Sequence, residues 1–139
     1  MPHIDHIGIS VADLDRMTKW YAGAFGLNVR QSGTIPGVGI RTVLLADSEG
    51  AWGIELLHRE GSVGMPRPTD PDAAVLTQGY GHVCLRVDDA AAAYDALVAA
   101  GAASLLPPRA ARRAGAQLAY VADPEGNLIE LIDRDLPSP

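Results

Sequence analysis

HIGISVAD, residues 6–13, and HVCLRVDD, residues 82–89, are the two stretches whose comparison decides the fold. Both read His, two residues, an aliphatic residue, one residue, Val, one residue, Asp, and they stand 76 residues apart. GIELL at residues 53–57 and IELI at residues 129–132 form a second matched pair, which aligns Glu55 with Glu130 at a separation of 75. Each anchor is short, but two that keep nearly the same offset mark a tandem duplication. The duplication predicts a first module over residues 1–62, a linker or lid over residues 63–77, and a second module over residues 78–139.

Within each module the same order of elements is expected. Residues 4–11 alternate, with Ile7, Ile9 and Val11 on one face and His6, Gly8 and Ser10 on the other, as a half-buried strand requires. Asp13 is placed to cap a helix through about Ala24, with Trp20, Tyr21, Ala24 and Phe25 as apolar positions and Gly26 as its stop. The second module repeats this plan: Val83, Leu85 and Val87 oppose His82, Cys84 and Arg86. Asp88 or Asp89 then precedes an Ala-rich helix over residues 90–100, stopped by Gly101. Three further strands per module are predicted, over residues 28–31, 40–45 and 53–58, and over residues 104–106, 117–122 and 128–132. Residues 59–78, with Pro66, Pro68 and Pro71, read as a connection without an element of its own. Residues 107–115 read as a loop carrying Arg109, Arg112 and Arg113, which either meet an anionic substrate or, in the favoured reading, form a solvated hairpin tip.

The composition agrees with one functional unit made of two small modules. The chain has 139 residues, and its 47% hydrophobic content includes 22 Ala but only seven aromatic residues, so the core must be Val, Ile, Leu and Ala. That excludes disorder. A net charge of −6 disfavours a nucleic-acid partner, which needs clustered cations. Cys84 is the single cysteine and has no intrachain partner for a disulfide. No apolar run approaches the ~20 residues of a membrane helix, and the N-terminus has no signal-peptide pattern. A soluble cytoplasmic protein is expected, with no membrane partner.

The duplication also makes a chemical statement. If the first and last strands of each module curve around one cavity, His6, Glu55, His82 and Glu130 meet there. Taken singly, each has an ordinary reading as a core, surface or solvated residue. Their symmetric placement on equivalent strands points instead to a divalent-metal site, because a buried carboxylate needs a partner or an ion. Nitrogen with hard oxygen and no thiolate suits Ni(II), Co(II), Mn(II), Fe(II) or Zn(II), with two positions left for water or substrate. His3, in the terminal segment, and His58, on the face opposite Glu55, are read as non-ligands. Cys84 shares the face of His82 but is read as a small buried hydrophobe.

HIGISVADLDRMTKWYAGAFGL, WGIELL, GYGHVCLRVDD and YVADPEGNLIELI together resemble the vicinal oxygen chelate superfamily. It includes glyoxalase I, methylmalonyl-CoA epimerase, extradiol dioxygenases, fosfomycin-modifying enzymes and bleomycin-binding proteins. The resemblance spans essentially the whole chain. It implies an α+β fold of two tandem βαβββ modules forming an eight-stranded, incompletely closed barrel around a metal, assembled as a homodimer. His6, Glu55, His82 and Glu130 are similar to the ligand set of bacterial-type glyoxalase I, which implies a lyase or isomerase. In such enzymes a small substrate chelates the metal through adjacent oxygens, and a proton is transferred through an enediolate. The base implied is Glu130, with Glu55 as its symmetric counterpart.

Other branches fit less well. Residues 31–45 have no carboxylate to serve as the separate base of a methylmalonyl-CoA epimerase, and fosfomycin-modifying enzymes have a second His where this chain has Glu55. An Fe(II) extradiol-type dioxygenase could use His6, His82 and Glu130, and Tyr120, Asp123, Pro124 and Gly126 fit its C-terminal signature. Its catalytic His is missing from residues 109–118. A non-catalytic antibiotic-binding protein is the alternative from another class, against which the retained ligand set argues. Met17 stands where the glyoxalase I helix carries Ser. Residues 31–39, 59–78 and 107–115 are the expected substrate selectors.

Overall fold

The computed structural model describes residues 2–112 and 115–134. The chain divides into two compact units, Met1–Met65 and Pro66–Pro139. The first has strand β1 (His6–Ser10), helix α1 (Leu14–Phe25) and strands β2 (Asn28–Ile35), β3 (Ile40–Ala46) and β4 (Gly53–His58). The second opens with a short helix α2 (Pro71–Ala74). Strand β5 (Val83–Arg86), helix α3 (Ala90–Ala99) and strands β6 (Ala103–Ala110), β7 (Gln117–Ala122) and β8 (Leu128–Ile132) follow. The expected βαβββ order is present twice, and the class is α+β. Each unit holds one four-stranded sheet, ordered β1-β4-β3-β2 or β5-β8-β7-β6.

In both sheets the first strand lies parallel to the last, and the remaining pairings are antiparallel. A parallel neighbour demands a crossover, and the helix supplies it. Asp13 accepts a hydrogen bond from the Arg16 amide at the start of α1, and Gly26 ends that helix in the left-handed conformation at φ 65°. Asp89 accepts from the amides of Ala91 and Ala92 at the start of α3.

One face of each sheet packs on its own helix. In the first unit Leu14, Met17 and Tyr21 of α1 are buried together with Val43 and Leu45 of β3 and Ile54 and Leu56 of β4. In the second, Ala90 and Leu97 of α3 are buried with Ala119 and Val121 of β7 and Ile129 and Leu131 of β8. Each large aliphatic chain buried this way contributes roughly 1.5–3 kcal/mol. Among the described residues no helix is long and apolar enough to cross a membrane.

Three stretches differ from the sequence expectation. Strand β2 continues four residues past the expected end, to Ile35, because its partner β3 supplies backbone groups as far as the Ile35–Ile40 pair. Strand β6 runs to Ala110, through Pro107 and Pro108, where a loop was expected. It is an edge strand, and its register against β7 shifts between Ser104 and Leu106 and again between Leu106 and Arg109. Proline is tolerated at an edge or a bulge because no ladder hydrogen bond is lost there. Arg109 therefore belongs to a strand; Arg112 is exposed beyond it, and Arg113 lies outside the described residues. Finally, the proline-rich connection carries one helical turn, α2, with Pro71 in its first turn and the Asp70 carboxylate accepting from the Ala73 amide.

The turn before β8 depends on Asp123, which is 2% exposed. One carboxylate oxygen accepts from the amides of Glu125 and Asn127, and the other from the Asn127 side chain. Asp123→Ala would leave these donors unpaired and is expected to cost about 2–3 kcal/mol. Urea unfolding monitored by circular dichroism measures the loss, and an unchanged midpoint would contradict this role.

Candidate functional site

In the first unit β4 sends Ile54 and Leu56 toward α1, so Glu55 between them projects from the opposite face. Strand β1 lies alongside, with Gly8 opposite Glu55 and His6 opposite Gly53. A side chain at Gly53 would come within 2.8 Å of the Leu45 carbonyl oxygen, so this close approach of three strands requires glycine. His6 Nε2 lies 3.4 Å from Glu55 Oε2, and its Nδ1 lies 2.7 Å from the Asp5 carboxylate. The Asp5 carboxylate can only accept, so Nδ1–H of His6 donates in this contact, which turns Nε2 toward Glu55.

The second unit repeats the arrangement. Glu130 lies between buried Ile129 and Leu131 and projects from the face opposite α3. His82 precedes β5, and its Nε2 is 3.0 Å from Glu130 Oε2. Across the sheet Cys84 and Tyr120 are the two neighbours of Glu130. The Tyr120 ring meets the His82 ring edge-on at 5.3 Å. An open groove of about 310 Å³ leads to His82, bordered by Ala74 and Val75 at the end of α2 and by Gly79 and Gly81.

Cys84 is an exposed residue, which corrects its reading as a small buried hydrophobe. Strand β5 is the edge strand of its sheet, consistent with that exposure. Its thiol nevertheless lies against the sheet. Burial first, then the charge of neighbouring Glu130, pushes it up to about 11 against the pull of Arg134. Burial likewise raises the Tyr120 phenol, with Glu130 adding to it.

Of the sequence candidates, His6 is brought to Glu55, and His82 to Glu130. His58 makes a hydrogen-bonding contact with the Val11 carbonyl at 3.0 Å, a structural role away from Glu55. His3 is exposed in the segment before β1. Sequence reasoning missed Asp5 as the partner of His6, although a carboxylate directly before a candidate ligand was visible. It also missed the contacts of Tyr120 with His82 and Glu130, which depend on strand register.

Two donors each ~2.1 Å from one divalent ion lie ~3.0 Å apart at a right angle and ~3.4 Å apart at the tetrahedral angle. Both pairs have a spacing that fits neighbouring ligands on a single ion. The Asp5–His6 contact adds the carboxylate–histidine arrangement that orients metal-binding imidazoles. Among the described residues no three His, Cys, Asp or Glu side chains gather as a metal group, so each unit by itself offers a pair.

The chain's similarities to known proteins agree with this architecture. The Glyoxalase/Bleomycin resistance protein/Dioxygenase superfamily model matches residues 3–131. A protein of Synechocystis sp. named probable lactoylglutathione lyase is 29% identical over 130 residues, 91% of this chain and 92% of its own length. A glyoxalase family protein from Bacillus cereus superposes with a TM-score of 0.75 at 22% identity, covering 95% of this chain and 93% of that one. Glyoxalase I from Zea mays gives a TM-score of 0.73 at 24% identity over 99% of this chain, which spans about half (47%) of the maize protein's length. With two βαβββ units, a His–Glu pair on the free face of each sheet and a family match over nearly its whole length, this chain belongs to the glyoxalase/bleomycin resistance protein/dioxygenase superfamily.

Proposed function

We propose that this protein is a divalent-metal-dependent lyase or isomerase of the glyoxalase kind, acting on a small substrate that carries two adjacent oxygens. The observation that carries the proposal is the duplicated pair, an imidazole Nε2 facing a glutamate oxygen in each unit. The name lactoylglutathione lyase, borne by the Synechocystis relative, supports the reaction class. The metal ligands we assign are His6, Glu55, His82 and Glu130. Their nitrogen and hard-oxygen chemistry suits Ni(II), Co(II), Mn(II), Fe(II) or Zn(II).

Such an ion, when bound, supplies a Lewis acid that polarises the two oxygens and stabilises the negative charge developing on them. The protein's own part begins with orientation: Asp5 fixes the ring of His6, and Tyr120 packs on that of His82. A carboxylate of the set, Glu130 or Glu55, then moves the proton. It takes the carbon-bound proton as the C–H pair forms a carbon–carbon double bond and the carbonyl π pair moves onto its oxygen; it then gives the proton to the adjacent carbon while the hydroxyl proton passes from the first oxygen to the second and the carbonyl re-forms on the first carbon.

Dialysis against Ni(II) or Co(II), followed by elemental analysis, is expected to find about one ion per chain, and His82→Ala should reduce it more than about tenfold. An unchanged metal content in that variant would overturn the ligand assignment. Lyase activity on lactoylglutathione, the compound in the Synechocystis relative's name, is the activity to assay. Chelation should abolish the activity, and added metal should restore it. Turnover that survives complete metal removal would exclude the proposed chemistry, while oxygen uptake with catechols would place the chain among the dioxygenases instead.

A further inference from the structure

One row of the second sheet carries charge where its counterpart in the first has none. Ile132 stands two residues along β8 from Glu130, on the same face, and the line across the strands there reads Arg86, Ile132, Leu118 and Arg109. The equivalent line in the first sheet reads Ser10, Leu57, Thr42 and Gly33. An arginine therefore stands on each edge strand of the second sheet, β5 and β6, where the repeat has a hydroxyl and a hydrogen atom. Arg109 reaches this face through a bulge. It lies three residues past Leu106, which strict alternation would send to the helix side, and the register shift between the two returns it to the face of Glu130.

Neither arginine serves the scaffold. Both are exposed, and among the described residues neither has an ion-pair partner, although the chain is acidic and Arg41 finds one in Asp15. Glu130, the carboxylate in the next row, faces His82 at 3.0 Å instead. The floor between the arginines is apolar, with Ile132 buried and Leu118 half-buried. Three strand spacings separate the two backbones, ~14 Å, so the side chains can approach one ligand from opposite sides. The charge of Arg109 is felt at Tyr120 in the row of Glu130, where it opposes the upward push of burial on the phenol.

We propose that Arg86 and Arg109 form an anion-binding site on the free face of the second sheet, which takes a carboxylate or a phosphate group. A guanidinium fork donates two parallel hydrogen bonds to either anion. The apolar floor supplies no competing acceptor and lowers the local dielectric, which strengthens the pairing. The site lies one row, ~7 Å, from Glu130. The bound group is therefore the anionic end of the substrate, a step that rests on the metal-dependent reading above. The substrate class becomes a small carboxylic acid or phosphate ester, with a short chain between its charged end and its two adjacent oxygens.

The test is isothermal titration calorimetry of the metal-free, full-length protein at low salt, with inorganic phosphate and with succinate as probes. At least one should bind, and the tighter of the two identifies the anionic group. Arg86→Gln and Arg109→Gln should each weaken that binding ~10-fold, and the double variant should bind neither probe. Arg109→Lys, which keeps the charge and loses the fork, should recover only part of the affinity. Lys19→Gln removes one charge from the exposed side of α1 and should bind as the parent does. Circular dichroism melts that match the parent would place these losses at the site. Absence of binding by the parent, or parental affinity in the double variant, would overturn the inference and leave the metal reading standing. Anion binding that is lost in the double variant, in a protein that takes up no Co(II), would keep the site and overturn the metal reading instead.

Discussion

Everything in each unit depends on one strand that must face two ways. Ile54-Glu55-Leu56 and Ile129-Glu130-Leu131 set a carboxylate between two buried aliphatic chains, and β geometry sends the middle residue to the opposite face. The aliphatics fix the strand against the helix. A register shift of one residue would bury the carboxylate under α1 or α3 and expose two core side chains, so the stability of the helix-packed face enforces the position of the acid. The first strand of each unit then has a single parallel seat beside the last, and that seat brings His6 to Glu55 and the residue before β5, His82, to Glu130.

The two faces of each sheet are chemically separate. Behind the strands lies a dry layer of Leu, Ile, Val and Ala, closed in the first unit by Tyr21 stacked on Phe25 with Trp20 at their edges. His58 belongs to that side, tied to the chain end of β1 by its contact with the Val11 carbonyl. The other face carries the imidazoles and carboxylates. Polar groups at the joints of the scaffold are satisfied from within it: Asp133 accepts from the amides of Ala90 and Gln117, and Arg30 donates to the carbonyls of Asp47 and Ser48.

The repeat made most of this architecture legible. Asp13, Gly26 and Gly53–His58 carry their structural meaning in the residues themselves, as cap, stop and alternating strand. The duplication singled out His6, Glu55, His82 and Glu130 as equivalent positions; the pairing of each His with the Glu of its own unit came from the structure. What escaped the sequence was decided by hydrogen-bond partners far along the chain. Residues 32–35 are polar enough for a loop but are paired by β3, and Pro107 and Pro108 look like strand breakers until they fall on an unshared edge. Tyr120 and Cys84 flank Glu130 only once β7 and β5 are placed on either side of β8, an order no local pattern encodes.

The parallel seat of the first strand beside the last sets an order in time as well as in space. As the chain leaves the ribosome, His6–Ser10 emerges early yet has no sheet neighbour until Gly53–His58 has been made. Helix α1 can form at once, and β2 with β3 can pair as a local hairpin, but the apolar side of β1 waits for some forty residues of synthesis. The second unit repeats the delay between Val83–Arg86 and Leu128–Ile132. Each unit therefore closes in one step at its own last strand, and the first can do so before the residues that build the second sheet have been translated.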